Sequence, residues 1–545
     1  MSKTIGTILT TTAALLLGGS LAPAAAQHGV ADPELFVTAG TCMACHNGLV
    51  SPQGMDISIG TNWRGSMMAN AARDPYWQAA VKRETLDHPE AAVAIQDECS
   101  KCHMPMARFE AHAAGRELAF FGDLPWQAGQ GMDTRAKALA ADGVSCTACH
   151  QIEPEGLGEE ATFTGGFRID TTASMGQRRV YGSYDVPVGS DRAMLSSGRF
   201  QPTQSEHIRD SGLCASCHTL YTHARNDDGE VIGELPEQVP YLEWLHSDYR
   251  DEQSCQSCHM PGVEGETAIS SVLPNPRPDV RQHVFRGGNI FVPRILNLFR
   301  ADLAVAALPA ELDGTVKATE RFLTTATARV AVPSFELDGG RLAFDVEVTN
   351  LAGHKLPTAY PSRRAWLHVT VTDADGRVVF ESGAPRPDGS IAGNDNDRDA
   401  QAYEPHHRTI TEPDQVQIYE PIMVDYGGAV TTGLVYGVGY VKDNRLLPRG
   451  FDRATAEADI AVRGDAAADP DFRAPDDRVR YEVDVPGVPR PLRVDVELRY
   501  QPIGYRWARN LAEYDAAETN RFVGYYEALS DVSSIALAAT TRQVE

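Results

Sequence analysis

The chain of 545 residues carries 49 Lys plus Arg against 74 Asp plus Glu, a formal net charge of −25 and a pI near 5.0. So acidic a surface repels phosphate backbones and anionic lipid, which makes nucleic acid a poor partner. Hydrophobic residues at 42% and charged residues at 23% exclude wholesale disorder. At roughly 100–200 residues per domain, this length implies two to four domains.

Residues 1–26 have the pattern of a secretory signal peptide. Lys3 supplies the positive start, a short apolar stretch runs from Ile5 to Leu21, and Ala24-Ala25-Ala26 predicts cleavage before Gln27. The apolar run falls short of the ~20 residues needed to span a bilayer. The expectation is an exported protein, periplasmic or at the outer surface, without stable membrane insertion.

All ten cysteines fall in Cys-x-x-Cys-His units. These are Cys42/Cys45/His46, Cys99/Cys102/His103, Cys146/Cys149/His150, Cys214/Cys217/His218 and Cys255/Cys258/His259. This spacing serves covalent c-type haem attachment: two thiols bond the porphyrin edge, and the following histidine ligates the iron. Zinc ribbons do not require a histidine after every pair, and a redox-active dithiol site uses one unit rather than five. Disulfides would leave the histidines unexplained. The pattern predicts five c-type haems, with about 40 residues of chain for each. So little protein cannot enclose each cofactor separately, so the haems must pack closely and supply much of the core themselves.

The haem units occupy a domain at 27–290, with helical pieces expected at Asp74–Leu86 and Arg135–Ala141 and loops at Glu153–Gly166 and Tyr181–Gly198. A helical linker covers 291–327. From 328 to 545 the period changes to two. Leu342, Phe344, Val346 and Val348 alternate with polar neighbours, as do Leu367, Val369 and Val371. Val479, Tyr481, Val483 and Val485 follow, then Leu492, Val494, Val496 and Leu498. Turn signals such as Asp338-Gly339-Gly340 and Pro486-Gly487 separate the runs. The fold class is therefore α+β: a helical, loop-rich haem domain, then an antiparallel β-sandwich-like domain closed by an aromatic helix over Tyr505–Leu529.

A second axial ligand closes a haem iron as an electron carrier, whereas an open position binds substrate. Eleven of the 16 histidines lie outside the five units. Distal candidates are His88, which leads into Cys99; His207, shortly before Cys214; and His283, beside Gly287-Gly288, where backbone can approach a ring. His354 is a fourth, in a loop that would tie the β-domain to a haem. Met68 is the candidate sulfur ligand, with core packing as its competing role. His368 alternates outward on a strand and belongs to solvent or packing, while the role of His406-His407 stays open.

Together the phrases GVSCTACHQI, LCASCHTLYT, EQVPYLEW and SCQSCHMP resemble the multihaem cytochrome c superfamily, which includes pentahaem nitrite reductases, octahaem hydroxylamine oxidoreductases and c-552/c-554-type carriers. WRGSMMANAARDP, HVFRGGN and GHKLPTAYPSRRAWLHV resemble multihaem members with an added β-domain. Trp63, Ser66 and Met68 match a superfamily stretch whose last position is a ligating histidine; Met68 in that place implies one His/Met haem or one weakly ligated haem. The resemblance also disfavours nitrite reduction, because such reductases carry Cys-x-x-Cys-Lys at the catalytic haem and all five units here end in histidine.

Asp395, Asp397 and Asp399 alternate as calcium-loop carboxylates do, which makes calcium a candidate ligand, although Ala400 stands where such a loop needs glycine. The functional expectation is an electron-transfer protein serving redox partners, basic ones by charge. The alternative is an oxidoreductase acting on a small nitrogen or sulfur compound at a five-coordinate haem. A third role, for the β-domain alone, is oligomer assembly through His354 reaching a haem in a neighbouring chain.

Overall fold

Strict alternation from Leu342 onward builds one wall of a β-sandwich. The computed structural model describes residues 34–118, 120–124 and 134–545 together with Ser2, so the signal-peptide pattern lies outside the described residues. One five-stranded sheet runs Val378–Ser382, Arg364–Thr372, Leu492–Gln501 and Ile535–Val544, with Ile418–Tyr419 also paired to Arg364–Thr372. The other runs Thr409–Ile410, Asp476–Asp484, Arg341–Asn350 and Ala328–Ala331, with Phe335–Asp338 also on Arg341–Asn350. Register places Leu367 opposite Leu498, Val369 opposite Val496 and Val346 opposite Val479. One face of each strand thus faces a shared core, where Phe344 and Tyr481 stack at 5.3 Å.

The sandwich departs from purely antiparallel pairing at one edge, where Thr409–Ile410 runs parallel to Asp476–Asp484. The expected helix over Tyr505–Leu529 is two helices, Tyr505–Leu511 and Ala517–Leu529, and a further strand follows at Ile535–Val544. The linker is helical at Phe291–Leu298 and Pro309–Ala326. Within the expected loop Tyr181–Gly198, residues Val188–Gly198 are helical, with none of them buried.

In the N-terminal half, Pro75–Asp87 begins where Asp74 accepts the Tyr76 and Trp77 amides at 2.9 and 3.3 Å, with Pro75 at the first helical position. This helix packs against Ala517–Leu529 from the far end of the chain, and Tyr76 meets Phe522 at 5.1 Å. The two halves therefore share a core of Tyr76, Phe291, Ile295, Leu312 and Phe522.

Candidate haem-binding site

Each Cys-x-x-Cys-His unit folds as a helical turn, as at Cys146–Cys149, Ser211–His218 and Cys255–His259. Residues i, i+3 and i+4 of a helix share a face, so both thiols and the imidazole project to one side. Local caps start two of these turns: Asp210 accepts the Gly212 amide at 2.8 Å, and Ser254 accepts that of Ser257 at 3.3 Å. None of the ten cysteines forms a disulfide.

Four of the five unit histidines hold Nδ1 against a backbone carbonyl. His46 meets Ile269 O at 2.6 Å, His103 Ala71 O at 3.1 Å, His150 Tyr181 O at 2.6 Å and His259 Arg286 O at 2.6 Å. Such a bond places the proton on Nδ1, fixes the ring plane and leaves the Nε2 lone pair for a metal. Burial pushes His103 and His259 down to about 4, so both rings are neutral at pH 7, the ligating form. Trp77 lies flat on the His103 ring at 4.2 Å and 4°, fixing its plane further.

Two of these rings face a second imidazole. His150 and His283 stand 6.4 Å apart between centroids, with planes 20° apart; His259 and His354 stand 6.3 Å apart at 12°. Metal–imidazole bonds of about 2.0–2.1 Å on either side of one ion require a spacing of this size. The facing rings are likewise held through Nδ1, His283 by Arg281 O at 3.1 Å and His354 by Lys355 O at 2.9 Å. Because His354 faces His259 of its own chain, a ligand role in a neighbouring chain loses its geometric basis.

The remaining distal candidates are placed otherwise. His207 has both nitrogens engaged, Nδ1 with Ser205 Oγ at 2.6 Å and Nε2 with Ile152 O at 2.9 Å, and so clasps its loop. His88 is fully buried with neither nitrogen hydrogen-bonded and packs on Tyr436 at 4.3 Å; like His259 and His354, it lies off the cavity wall described below. Met68 does line that wall. Among the described residues, His46, His103 and His218 face no second imidazole. The Gly287-Gly288 pair serves a different neighbour than expected: a Cβ on Gly288 would come within 2.7 Å of the Tyr500 hydroxyl.

A continuous cavity of about 760 Å³ connects the units. Its wall includes both cysteines and the histidine of the first four units, reaches the fifth at Gln256 and Met260, and is mostly apolar. His223, which no sequence signal distinguishes, also lines it, with Nδ1 3.0 Å from the Glu98 carboxylate. The thiols of Cys42 and Cys146 are near enough to shift each other's ionisation, as are those of Cys102 and Cys217 and those of Cys214 and Cys255. Cys149 is close enough to Cys217 for their charges to interact. The first unit thus adjoins the third, the third the fourth, and the fourth both the second and fifth. Paired thiols, neutral imidazoles and an apolar wall are a donor set that fits c-type haem.

Two other clusters carry different chemistry. The Asp395–Asp399 turn is not a calcium loop: Asp397 pairs with the buried Arg364, Asp395 with Arg398, and the Asp399 carboxylate accepts the Gln401 amide. Neutralised carboxylates leave no charged cage for a hard cation.

His406, Asp469 and Asp477 lie buried, with potential ligand atoms within 4.8 Å of one another. His406 Nδ1 accepts from Gln417 Nε2 at 2.8 Å and Asn444 Nδ2 at 3.1 Å. Those amides are oriented by the His407 and Glu420 N–H groups that they accept. The ring proton therefore sits on Nε2, 3.3 Å from Asp469, whereas a metal-bound ring would donate from its free nitrogen. The hydrogen bonds suit proton sharing within the cluster better than metal ligation.

Burial, aided by the Asp469 charge, pushes Asp477 up to about 7 against the lowering effect of the Tyr419 hydroxyl at 2.7 Å. Asp477 thus holds its proton more tightly folded than unfolded. The folded state loses roughly 4 kcal/mol as pH rises from about 4 to 7. Asp477→Asn is expected to match the parent in urea unfolding at pH 4 and exceed it by several kcal/mol at pH 8. An equal difference at both pH values would refute this.

No protein-family model and no curated protein matches the chain. Among solved structures it is similar to a penta-heme cytochrome c552 from Thermochromatium tepidum, with a TM-score of 0.50 and 16% identity over 93% of this chain and 99% of that one. The chain shares its fold with that cytochrome. Among the described residues, no helix is long and apolar enough to cross a membrane.

Proposed function

We propose that the chain is an exported pentahaem c-type cytochrome that carries electrons through closely spaced haems. The observation that carries this reading is the pair of opposed, carbonyl-tethered imidazoles, His150 with His283 and His259 with His354. When bound, haem would supply one-electron chemistry. This chain's residues would hold it: the unit cysteines would attach it, the tethered imidazoles would ligate its iron, and the apolar walls would exclude water. The proximity of the attachment thiols supports a route from the first unit through the third to the fourth, with branches to the second and fifth. The net charge of −25 suits brief encounters with a basic redox partner.

A second reading, an oxidoreductase acting on a small nitrogen or sulfur compound, draws on one observation. His103, like His46 and His218, faces no second imidazole among the described residues, and His223, hydrogen-bonded to Glu98, lines the same cavity. Such a His–carboxylate pair is suited to moving a proton. Electron paramagnetic resonance of the oxidised, haem-loaded protein separates the two. Five low-spin haems are expected for the carrier, whereas a stoichiometric high-spin haem that shifts with nitrite, hydroxylamine or a sulfur oxyanion establishes the enzyme.

A further inference from the structure

His354 belongs to the C-terminal half, yet faces a histidine of the N-terminal half, so something must hold the two in register. Three charged side chains surround the residue next to it, itself a buried lysine. Lys355 and Glu243 are 0% exposed, Asp443 2% and Arg445 6%. Glu243, on the helix Pro240–Leu245, accepts the Lys355 backbone N–H at 3.1 Å and the Thr358 hydroxyl through Oε2. Its Oε1 lies 2.8 Å from Arg445 NH1. Arg445 grips Asp443 with two bonds, at 2.9 and 2.8 Å, and Asp443 accepts from Lys355 Nζ at 2.8 Å. The ring closes on Lys355 and its formal charges sum to zero.

Of the four, Glu243 is the member from the haem-binding half, and it takes hold of the His354 loop on both sides of Leu356. The same helix and the turn after it press on the loop's other end. A Cβ on Gly353 would meet Tyr249 at 3.2 Å, Ser247 donates to Gly353 O at 3.2 Å, and the Tyr249 hydroxyl donates to Leu351 O at 2.9 Å. We propose that Glu243 is the positioning residue that holds His354 on the iron served by His259. Isolated buried charges are costly, so removing one member of a closed ring leaves an excess charge that only movement or water can relieve. With Glu243 neutral, the excess is positive and adjacent to an iron ligand, which favours the reduced iron.

This inference rests on His354 being an axial ligand, and the experiment separates the two claims. Haem-loaded Glu243→Gln, Thr358→Val and His354→Ala proteins are compared by electron paramagnetic resonance and redox titration. Glu243→Gln is expected to change the signal of one haem out of five, the haem altered by His354→Ala, and to raise its midpoint potential. Thr358→Val, which removes one donor and no charge, is expected to shift the same signal less, and decides the matter if Glu243→Gln fails to mature. If His354→Ala alters one haem while both other variants keep all five parental signals, Glu243 does not position the ligand. If His354→Ala itself alters none, the ligand assignment falls first and the positioning role with it.

Discussion

Alanine at His283 is expected to convert one of the five haems from low-spin to high-spin and to raise its midpoint potential. The His283 ring stands 6.4 Å from that of His150, with planes 20° apart, and burial pushes it down to about 4 so that it is neutral. Arg281 O holds its Nδ1 at 3.1 Å, and Phe285 packs edge-on at 5.7 Å. Alanine leaves a gap that only water or an added ligand can fill, and weaker axial fields produce high-spin ferric iron. Added imidazole is expected to restore the low-spin signal. Five unchanged low-spin signals in the variant would remove His283 from the ligand set and weaken the carrier reading.

Asp397→Ala is expected to destabilise the sandwich by about 3–5 kcal/mol, the usual effect of removing one partner from a buried ion pair. Arg364 and Asp397 side chains are only 4% and 3% exposed. The guanidinium donates to both carboxylate oxygens at 2.8 and 3.1 Å, to Gln501 at 2.8 Å and to Gly389 O at 3.2 Å. Alanine leaves that cation buried with two neutral acceptors. The Arg364→Met/Asp397→Ala double variant, which removes both charges, is expected to recover much of the loss. Hydrogen exchange along Arg364–Thr372 reads the effect. Protection equal to the parent in Asp397→Ala would mean that water or a shift of Arg364 relieves the charge, contrary to its packing.

What could be read from the chain followed the range of the interactions. The five attachment units were legible because thiol, thiol and imidazole lie within one helical turn, so spacing alone sets their geometry. The strands from Leu342 to Leu498 were legible because burial of one face imposes alternation. Strand Ile535–Val544 was not, since its Ala/Thr-rich outer positions mask the alternation. The helix Val188–Gly198 was missed because no buried face imposes a period on it.

Axial partners are a different case. His207 and His283 looked alike in the chain, each a polar residue near a haem unit. The fold gives His207 two hydrogen-bond acceptors or donors and turns His283 toward a second ring. The acidic run at Asp395 likewise looked like a cation loop until Arg364, brought from a strand, neutralised Asp397. Sequence by itself determined the attachment chemistry, the acidic surface and the alternation of the sandwich, all properties of neighbouring residues or of composition. Only the tertiary structure decided which histidines face each other and which charges are matched, because those pairings join residues distant in the chain and depend on how whole elements pack.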